Sequence, residues 1–90
     1  MARKEKVTKV VDGDTFFTAS RKRPVRLAKV DTPEKGERGY QKATNALRSL
    51  IKGEEVLIDT VARDTYGRSV ANVKIGRNSV NKAMQKHKKK

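Results

Sequence analysis

Most apolar residues of this chain fall into short strand-like runs, which are interrupted by a long stretch of apolar residues at helical spacing. This helical stretch extends from Tyr40 to Ile51 and ends before Gly53, a common C-terminal stop. A second, shorter helical pattern follows Asn78 or Ser79, either of which could serve as its N-cap. The strand-like runs are rich in β-branched or aromatic residues and are bounded by turn residues; they cover residues 6–11, 15–19, 25–30, 55–60 and 69–75. The sequence therefore predicts the order β-β-β-α-β-β-α.

This order is compatible with a mainly β, α+β domain, built as a small five-stranded barrel of the oligonucleotide-binding kind with a helix at one end. Ninety residues suffice for one compact core, so we expect a single domain over residues 1–90. The dipeptide Asp12-Gly13 suits positive φ and predicts a hairpin between the first two strands. We expect residues 1–5 and 87–90 to be disordered basic ends.

The charge of the chain points to a polyanionic partner. There are 23 Lys and Arg against 10 Asp and Glu, a net charge of +13, which favours nucleic acid or, alternatively, an acidic lipid surface. The absence of cysteine excludes disulfides and thiolate-bound zinc and leaves localisation open. No run approaches the roughly 20 apolar residues of a membrane span, and Val7 onward alternates rather than forming a signal peptide. We expect a monomer.

Three short motifs carry polar residues suited to chemistry, at positions 12–15 (DGDT), 25–34 (VRLAKVDTPE) and 64–68 (DTYGR). The first and third could be ordinary hairpin turns, and Asp31 with Glu34 could be a helix capping box. Period-2 alternation after the second turn places Arg26 in mid-strand, where an arginine needs a partner. Their joint occurrence, in this order, in one small basic chain favours a functional reading.

In this combination the chain resembles the staphylococcal nuclease family, also called thermonucleases, from about Val7 to about Gln85. The segment 80–83 (VNKA) at the start of the second helix is a further match. The resemblance implies a five-stranded barrel of the oligonucleotide-binding fold. It also implies a calcium-dependent hydrolase that cuts DNA and RNA and leaves 3′-phosphate ends. The best-known members have a third helix after the second; here the chain stops at Lys90, so we expect that helix to be lacking.

The resemblance also implies a calcium site. It makes Asp14 and Asp31 the carboxylate ligands and Thr32 a ligand through its backbone carbonyl. Calcium is a hard cation that takes about six to eight oxygen ligands, so this set leaves room for water and a substrate phosphate. Asp12 then has a supporting role, orienting a ligand or a bound water.

The remaining site residues follow from the same resemblance. Glu34 corresponds to the glutamate that activates or orients the attacking water. Arg26 and Arg68 match the two arginines that grip the scissile phosphate, since a planar guanidinium can donate two parallel hydrogen bonds to it. Tyr66 matches a tyrosine that hydrogen-bonds a flanking phosphate. Single-stranded DNA or RNA is the expected substrate.

Two other functions are compatible with the same residues. A barrel of this kind could hold nucleic acid without cutting it, stacking bases on aromatic side chains. Phe16 and Phe17 are adjacent on one strand, so at most one lies in the core and the other could stack. A protein-interaction module is the third possibility, although such modules tend to lose the catalytic acids that this chain keeps. Carboxylates next to phosphate-binding arginines favour the enzyme.

Overall fold

The computed structural model describes residues 3–87, within which the alternating runs form strands and the segments of helical spacing form helices. The strands are β1 (Arg3–Asp12), β2 (Thr15–Thr18), β3 (Val25–Leu27), β4 (Glu55–Arg63), β5 (Ser69–Ile75) and the two-residue β6 (Asn78–Ser79). The helices are α1 (Tyr40–Ile51) and α2 (Val80–Met84), and a 3-10 turn, Gln85–His87, follows α2. None of the helices in this part of the chain is long and apolar enough to cross a membrane.

A parallel pairing closes the sheet into a barrel. The strands lie in the order β3-β2-β1-β4-β5-β6, and β3 also pairs with β5. In that closing pair Val25 lies opposite Ser69 and Leu27 lies opposite Ala71. All four of these residues are buried. The predicted five-stranded barrel of mainly β, α+β class is therefore confirmed, with β6 as a short addition at its edge.

The barrel interior is filled by alternate strand residues and by one face of each helix. The fully buried side chains include Phe16, whereas Phe17 is only half-buried, as expected for adjacent residues on a strand. The core residues share an apolar character and lie on all the main elements; they include Val7, Val10, Val25, Leu27, Val30, Leu47, Ile51, Val56, Ile58, Val73, Val80 and Met84. Burying them is the main favourable contribution to folding.

Asn81 fixes α2 to the barrel by hydrogen bonds that satisfy three buried backbone groups. Its Oδ1 accepts from the backbone N–H of Val73 at 2.7 Å, and its Nδ2 donates to the carbonyls of Ala28 and Ala71 at 2.9 and 3.0 Å. Ser79 is the N-cap, since its hydroxyl accepts from the backbone of Lys82 at 3.1 Å. Of the two predicted N-cap candidates, Ser79 therefore fills the role.

Three strand bounds differ by three residues from the sequence prediction, and one of them is the end of β4, at Arg63 rather than at residue 60. The third strand ends at Leu27 rather than at residue 30, because Lys29 adopts a φ of 59° and the chain turns there. Val30 is consequently buried instead of sharing the half-buried face of Arg26. The first strand begins at Arg3, so residues 3–5 belong to a strand and not to a disordered end, because they pair with β4; residues 1–2 lie outside the described range.

The start of β1 is held by a buried carboxylate. Glu5 is 7% exposed, and both its oxygens accept from Nε of Arg21, at 2.8 and 2.9 Å. The hydroxyls of Thr18 and Ser20 donate to it at 2.9 and 2.7 Å. Burial raises the pKa of Glu5, but these hydrogen bonds outweigh it and lower the pKa to about 2. At the other end, His87 closes the 3-10 turn, and residues 88–90 lie outside the described range.

Candidate active site

The turn between β1 and β2 presents the carboxylate of Asp14. The backbone N–H of Asp14 donates to Oδ1 of Asp12 at 3.2 Å, which stabilises the turn as an Asx motif. The hydroxyl of Thr15 donates to Oδ1 of Asp14 at 2.9 Å. Asp14 is only 8% exposed, so its carboxylate is fixed in direction. In this structure Asp12 contacts the backbone of Asp14, and its supporting role towards a ligand or a bound water stays a prediction.

The pairing of β2 with β3 brings Arg26 to this carboxylate. Thr15 lies opposite Arg26 in that pair, and the backbone N–H of Leu27 donates to the carbonyl of Asp14 at 2.8 Å. Nη2 of Arg26 lies 3.6 Å from Oδ2 of Asp14, while Nη1 donates to the carbonyl of Leu27 at 3.2 Å. The mid-strand arginine therefore has the acidic partner that its position requires.

Asp14 has a perturbed pKa because several groups act on one buried carboxyl. Burial raises the pKa of Asp14 to about 6, and the neighbouring carboxylate of Asp12 raises it as well. The Thr15 hydroxyl and the Arg26 guanidinium act in the opposite direction. Two carboxylates in one turn, only partly neutralised, form a local environment that a bound cation would stabilise.

Thr32 packs directly onto the same turn. A Cβ added at Gly13 would stand 2.7 Å from Oγ1 of Thr32, 2.9 Å from its Cβ and 2.8 Å from the Cβ of Ala43. Only glycine fits at position 13, since real Cβ atoms essentially never approach so closely. Thr32 is 2% exposed, and its buried hydroxyl oxygen has no hydrogen-bond partner among the described residues. The structure therefore packs the Thr32 side chain against the turn that carries Asp12 and Asp14.

Asp31 and Glu34 lie in the irregular segment between β3 and α1, and both are exposed. The N-cap of α1 is Gly39, so these two acids do not form a capping box. The backbone N–H of Glu34 donates to the carboxylate of Glu37 at 2.7 Å, whereas the side chain of Glu34 makes no ion pair within residues 3–87. Asp31 lies near the β1–β2 turn only because the next residue, Thr32, packs against Gly13 of that turn.

The loop between β4 and β5 holds Arg68 beside β3. Oδ2 of Asp64 accepts from Nε of Arg68 at 2.6 Å, and the guanidinium carbon lies 5.4 Å from the ring centre of Tyr66. Arg68 directly precedes Ser69, the residue of β5 that pairs with Val25. The parallel closure of the barrel thus brings Arg68 into the neighbourhood of Arg26.

The pKa of Asp64 is lowered, so the carboxylate that holds Arg68 stays charged. Desolvation raises the pKa of Asp64, but hydrogen bonds from the backbone and side chain of Arg68 and from the backbone of Tyr66 together outweigh it and hold the pKa below its usual value. Both terminal nitrogens of Arg68 remain without a hydrogen-bond partner among the described residues. They are available to an oxyanion.

The donor set expected for calcium consists of oxygen atoms only. Asp14, Asp31 and the carbonyl of Thr32 would supply ligands of the type that calcium prefers, and the Thr32 side chain packs on Gly13, the residue before Asp14. In the described part of the chain, no three side chains of His, Asp or Glu converge as a metal site. The residues present therefore fit an open site with two carboxylates, in which water and substrate complete the ligands.

Comparison with known proteins was made on this background. A family model described as staphylococcal nuclease homologue matches residues 24–87, well over half of the chain. The chain belongs to the staphylococcal nuclease homologue family. The matched range of this family member includes six of the eight predicted site residues, and Asp12 and Asp14 precede it.

Curated relatives agree with this assignment. Protein ParB of Escherichia coli is 36% identical over 69 residues, which cover 74% of this chain and 39% of the relative. An uncharacterized endonuclease of Escherichia coli O157:H7 is 34% identical over 70 residues, 76% of this chain and 46% of the relative. An uncharacterized endonuclease of Haemophilus influenzae is 32% identical over 84 residues, 90% of this chain and 47% of the relative. The chain spans less than half the length of these relatives, and the family and the endonuclease names support a nuclease.

Two contacts of this staphylococcal nuclease homologue were missed by sequence reasoning. Asp64 was recognised as part of a motif but not as the residue that holds Arg68; the i,i+4 spacing of opposite charges was the available signal. The hydroxyl of Thr15 on Asp14 was missed as well, and no sequence pattern indicates it. Asp64 and Thr15 each lie at a turn, and they contact the site residues Arg68 and Asp14 respectively.

Proposed function

We propose that this chain is a calcium-dependent nuclease that hydrolyses phosphodiester bonds of DNA or RNA and leaves 3′-phosphate ends. The proposal rests on the positions of Asp14, Arg26 and Arg68 near the β3–β5 pair that closes the barrel. Nη2 of Arg26 lies 3.6 Å from Oδ2 of Asp14. Both terminal nitrogens of Arg68 are without a hydrogen-bond partner among the described residues. A site that only bound nucleic acid would gain nothing from a buried carboxylate next to a phosphate-binding guanidinium.

Asp14, Asp31 and the Thr32 carbonyl would hold the calcium ion, with Asp12 in support, and bound calcium supplies Lewis-acid polarisation of the phosphoryl group. Arg26 and Arg68 donate hydrogen bonds to the non-bridging oxygens and neutralise the charge that gathers there.

Glu34 accepts a proton from the attacking water. As the water oxygen bonds to phosphorus, the bond to the 5′-oxygen breaks, the 5′-oxygen takes a proton from solvent, and the phosphate stays on the 3′ side. The exposure of Glu34 is compatible with a base that meets its water only when substrate is bound.

Single-stranded DNA or RNA is the proposed substrate, bound by a monomer. The net charge of +13 favours a polyanion. Tyr66 is 79% exposed beside Arg68, so its hydroxyl can reach a phosphate next to the scissile one.

The test is incubation of end-labelled single-stranded DNA and RNA with protein and calcium, beside a chelator control. We expect cleavage only with calcium, and products whose mobility changes after removal of a 3′-phosphate. Asp14→Asn and Asp31→Asn should each abolish cleavage, whereas Glu55→Gln, which removes an exposed acid of β4, should not. Undiminished cleavage by the Asp14→Asn, Asp31→Asn double variant would contradict the metal assignment.

The exposure of Tyr66 favours one alternative, a barrel that binds nucleic acid without cutting it. An aromatic ring open to solvent beside an arginine can stack on a base. The same incubation separates the two functions: substrate that stays intact with calcium at high protein concentration, yet binds, supports the binding module.

A further inference from the structure

Arg23 brings a third guanidinium to the start of β5. It lies in the turn between β2 and β3, and its guanidinium packs against Gly67, the residue before Arg68. A Cβ at Gly67 would collide with Nη1 of Arg23 and stand 3.1 Å from its Cζ. Gly67 also has a φ of +81°. The contact exists because position 67 carries no side chain.

The turn that carries Arg23 is joined to β5 on both sides of that residue. Nη1 of Arg21 donates to the hydroxyl of Ser69 at 3.0 Å, and the backbone N–H of Ser69 donates to the carbonyl of Pro24 at 3.4 Å. Consecutive Cα atoms are about 3.8 Å apart, so the Arg23 guanidinium lies within about one residue of the backbone of Arg68.

Arg23 differs from Arg21, Arg26 and Arg68 in its electrostatic surroundings. Arg21, Arg26 and Arg68 each pair with a carboxylate, those of Glu5, Asp14 and Asp64 respectively. Within residues 3–87, Arg23 has neither a hydrogen bond nor an ion pair, and it is exposed. An oriented guanidinium with no anion beside it, next to Arg68, is suited to an anion from outside the chain.

We propose that Arg23 binds the phosphate adjacent to the scissile one, so that the site recognises a backbone with at least two consecutive phosphates. The inference rests on the proposed function, in which Arg26 and Arg68 take the scissile phosphate. Gly67 supports the Arg23 side chain, and the closure of the barrel sets the spacing between the two phosphate contacts.

Binding can be measured apart from cleavage. Fluorescence anisotropy of a labelled ten-nucleotide deoxythymidine strand is recorded in chelator at several salt concentrations, with strand integrity checked by electrophoresis. Arg23→Gln should raise Kd about three- to tenfold, because one charge-assisted contact is lost. It should also reduce the slope of log K against log salt by about 0.7, the value for one single-strand phosphate contact.

Lys74→Gln is the matched control, because it removes the same charge from an exposed residue six positions along β5 from Arg68, roughly 20 Å away at strand spacing. It should leave Kd and the salt slope almost unchanged, and Arg23→Lys should restore part of the affinity. Equal effects of Arg23→Gln and Lys74→Gln, or a loss of thermal stability with an unchanged slope, would overturn the proposal.

Cleavage adds a second measurement. With calcium, Arg23→Gln should raise KM for the ten-nucleotide strand about three- to tenfold with kcat unchanged, and should not alter kcat/KM for the dinucleotide TpT, which has one phosphate. If the wild-type protein fails to cleave while Arg23→Gln still weakens binding, the nuclease proposal fails and the phosphate contact stands. If cleavage is normal and Arg23→Gln changes neither KM nor Kd, only the phosphate contact fails.

Discussion

Asp64 binds Arg68 at its backbone and at its side chain. One carboxylate oxygen accepts the Arg68 backbone N–H at 2.9 Å, and the other accepts Nε at 2.6 Å. The terminal guanidinium nitrogens are left open, so the carboxylate fixes the direction of the arginine without occupying the donors that a phosphate needs. An acid near a phosphate site usually opposes binding; here it positions the arginine that we propose as the phosphate-binding group.

Asp64→Ala should therefore lower kcat/KM roughly ten- to a hundredfold, because an arginine displaced by about an ångström loses much of its contribution to the transition state. Asp64→Asn, whose single amide oxygen can still accept the Arg68 backbone N–H but whose Nδ2 cannot accept from Nε, should cost less. The decisive measurement is a double-mutant cycle: in an Arg68→Ala background, Asp64→Ala should have almost no additional effect. Additive losses would show that Asp64 acts independently of Arg68.

Gly13→Ala should destabilise the protein and weaken the calcium site together. The new methyl group would lie 2.7–2.9 Å from Thr32 and Ala43, so the turn must move; overpacking of this kind costs about 1–3 kcal/mol. Gly76→Ala is the control, since it places a methyl in open space at a φ of +59° and strains the backbone far from the turn. Urea unfolding measures the loss of stability in each variant, and calcium titration of cleavage should show a weakened calcium site only in Gly13→Ala. Equal losses of activity in the two variants would refute the assignment of the Gly13 turn to the calcium site.

Glu34→Gln and Arg68→Ala should differ in their effects on kcat and on strand binding. Loss of a proton acceptor should lower kcat about 10²–10⁴-fold with little change in strand binding. Loss of a phosphate contact should lower kcat and weaken binding as well. Single-turnover cleavage and anisotropy on the same oligonucleotide provide the comparison. A Glu34→Gln variant with normal kcat would exclude Glu34 as the base.

The Glu5 network predicts a pH dependence of stability. Its folded pKa of about 2 lies below the reference value of 4.5, so the contribution is fully present above pH 4.5 and is lost as the pH falls towards 2. The difference corresponds to about 3 kcal/mol, of which about 2 kcal/mol is lost by pH 3.

Denaturant unfolding at pH 6 and pH 3 measures this term. Glu5→Gln should be less stable than wild type at pH 6, and its free energy of unfolding should fall less between the two pH values. The exposed Glu55→Gln should retain the wild-type dependence. A Glu5→Gln variant with the same pH dependence as wild type would contradict the assignment.

The element order and the helix 40–51 followed from the sequence because period, turn residues and stop signals agree along those segments. The end of β3 did not, since the positive φ of Lys29 has no local sequence signal. The start of β1 was missed because its strand is built by pairing with β4, a contact between residues about fifty positions apart.

The candidate site was predictable in its residue types and less so in its contacts. Arg26 lies 3.6 Å from Asp14, and Thr32 packs against Gly13, the residue before Asp14; the catalytic and metal-binding roles that the resemblance implies stay predictions. The role of Arg23 depends on the parallel β3–β5 pair, and periodicity contains no information about that pairing. The Asp64–Arg68 contact lies within one loop, and only its i,i+4 spacing indicated it. The exposed segment that carries Asp31 and Glu34 has no regular structure, so hydrophobic patterning could not position it.

The parallel pair that closes the barrel has a consequence during synthesis. The two strands of this pair are separated in sequence by α1 and β4. Arg68 is therefore brought to the level of Arg26 only after β5 has been synthesised and has docked onto β3. The site that we propose would not be assembled on a nascent chain until the barrel has closed.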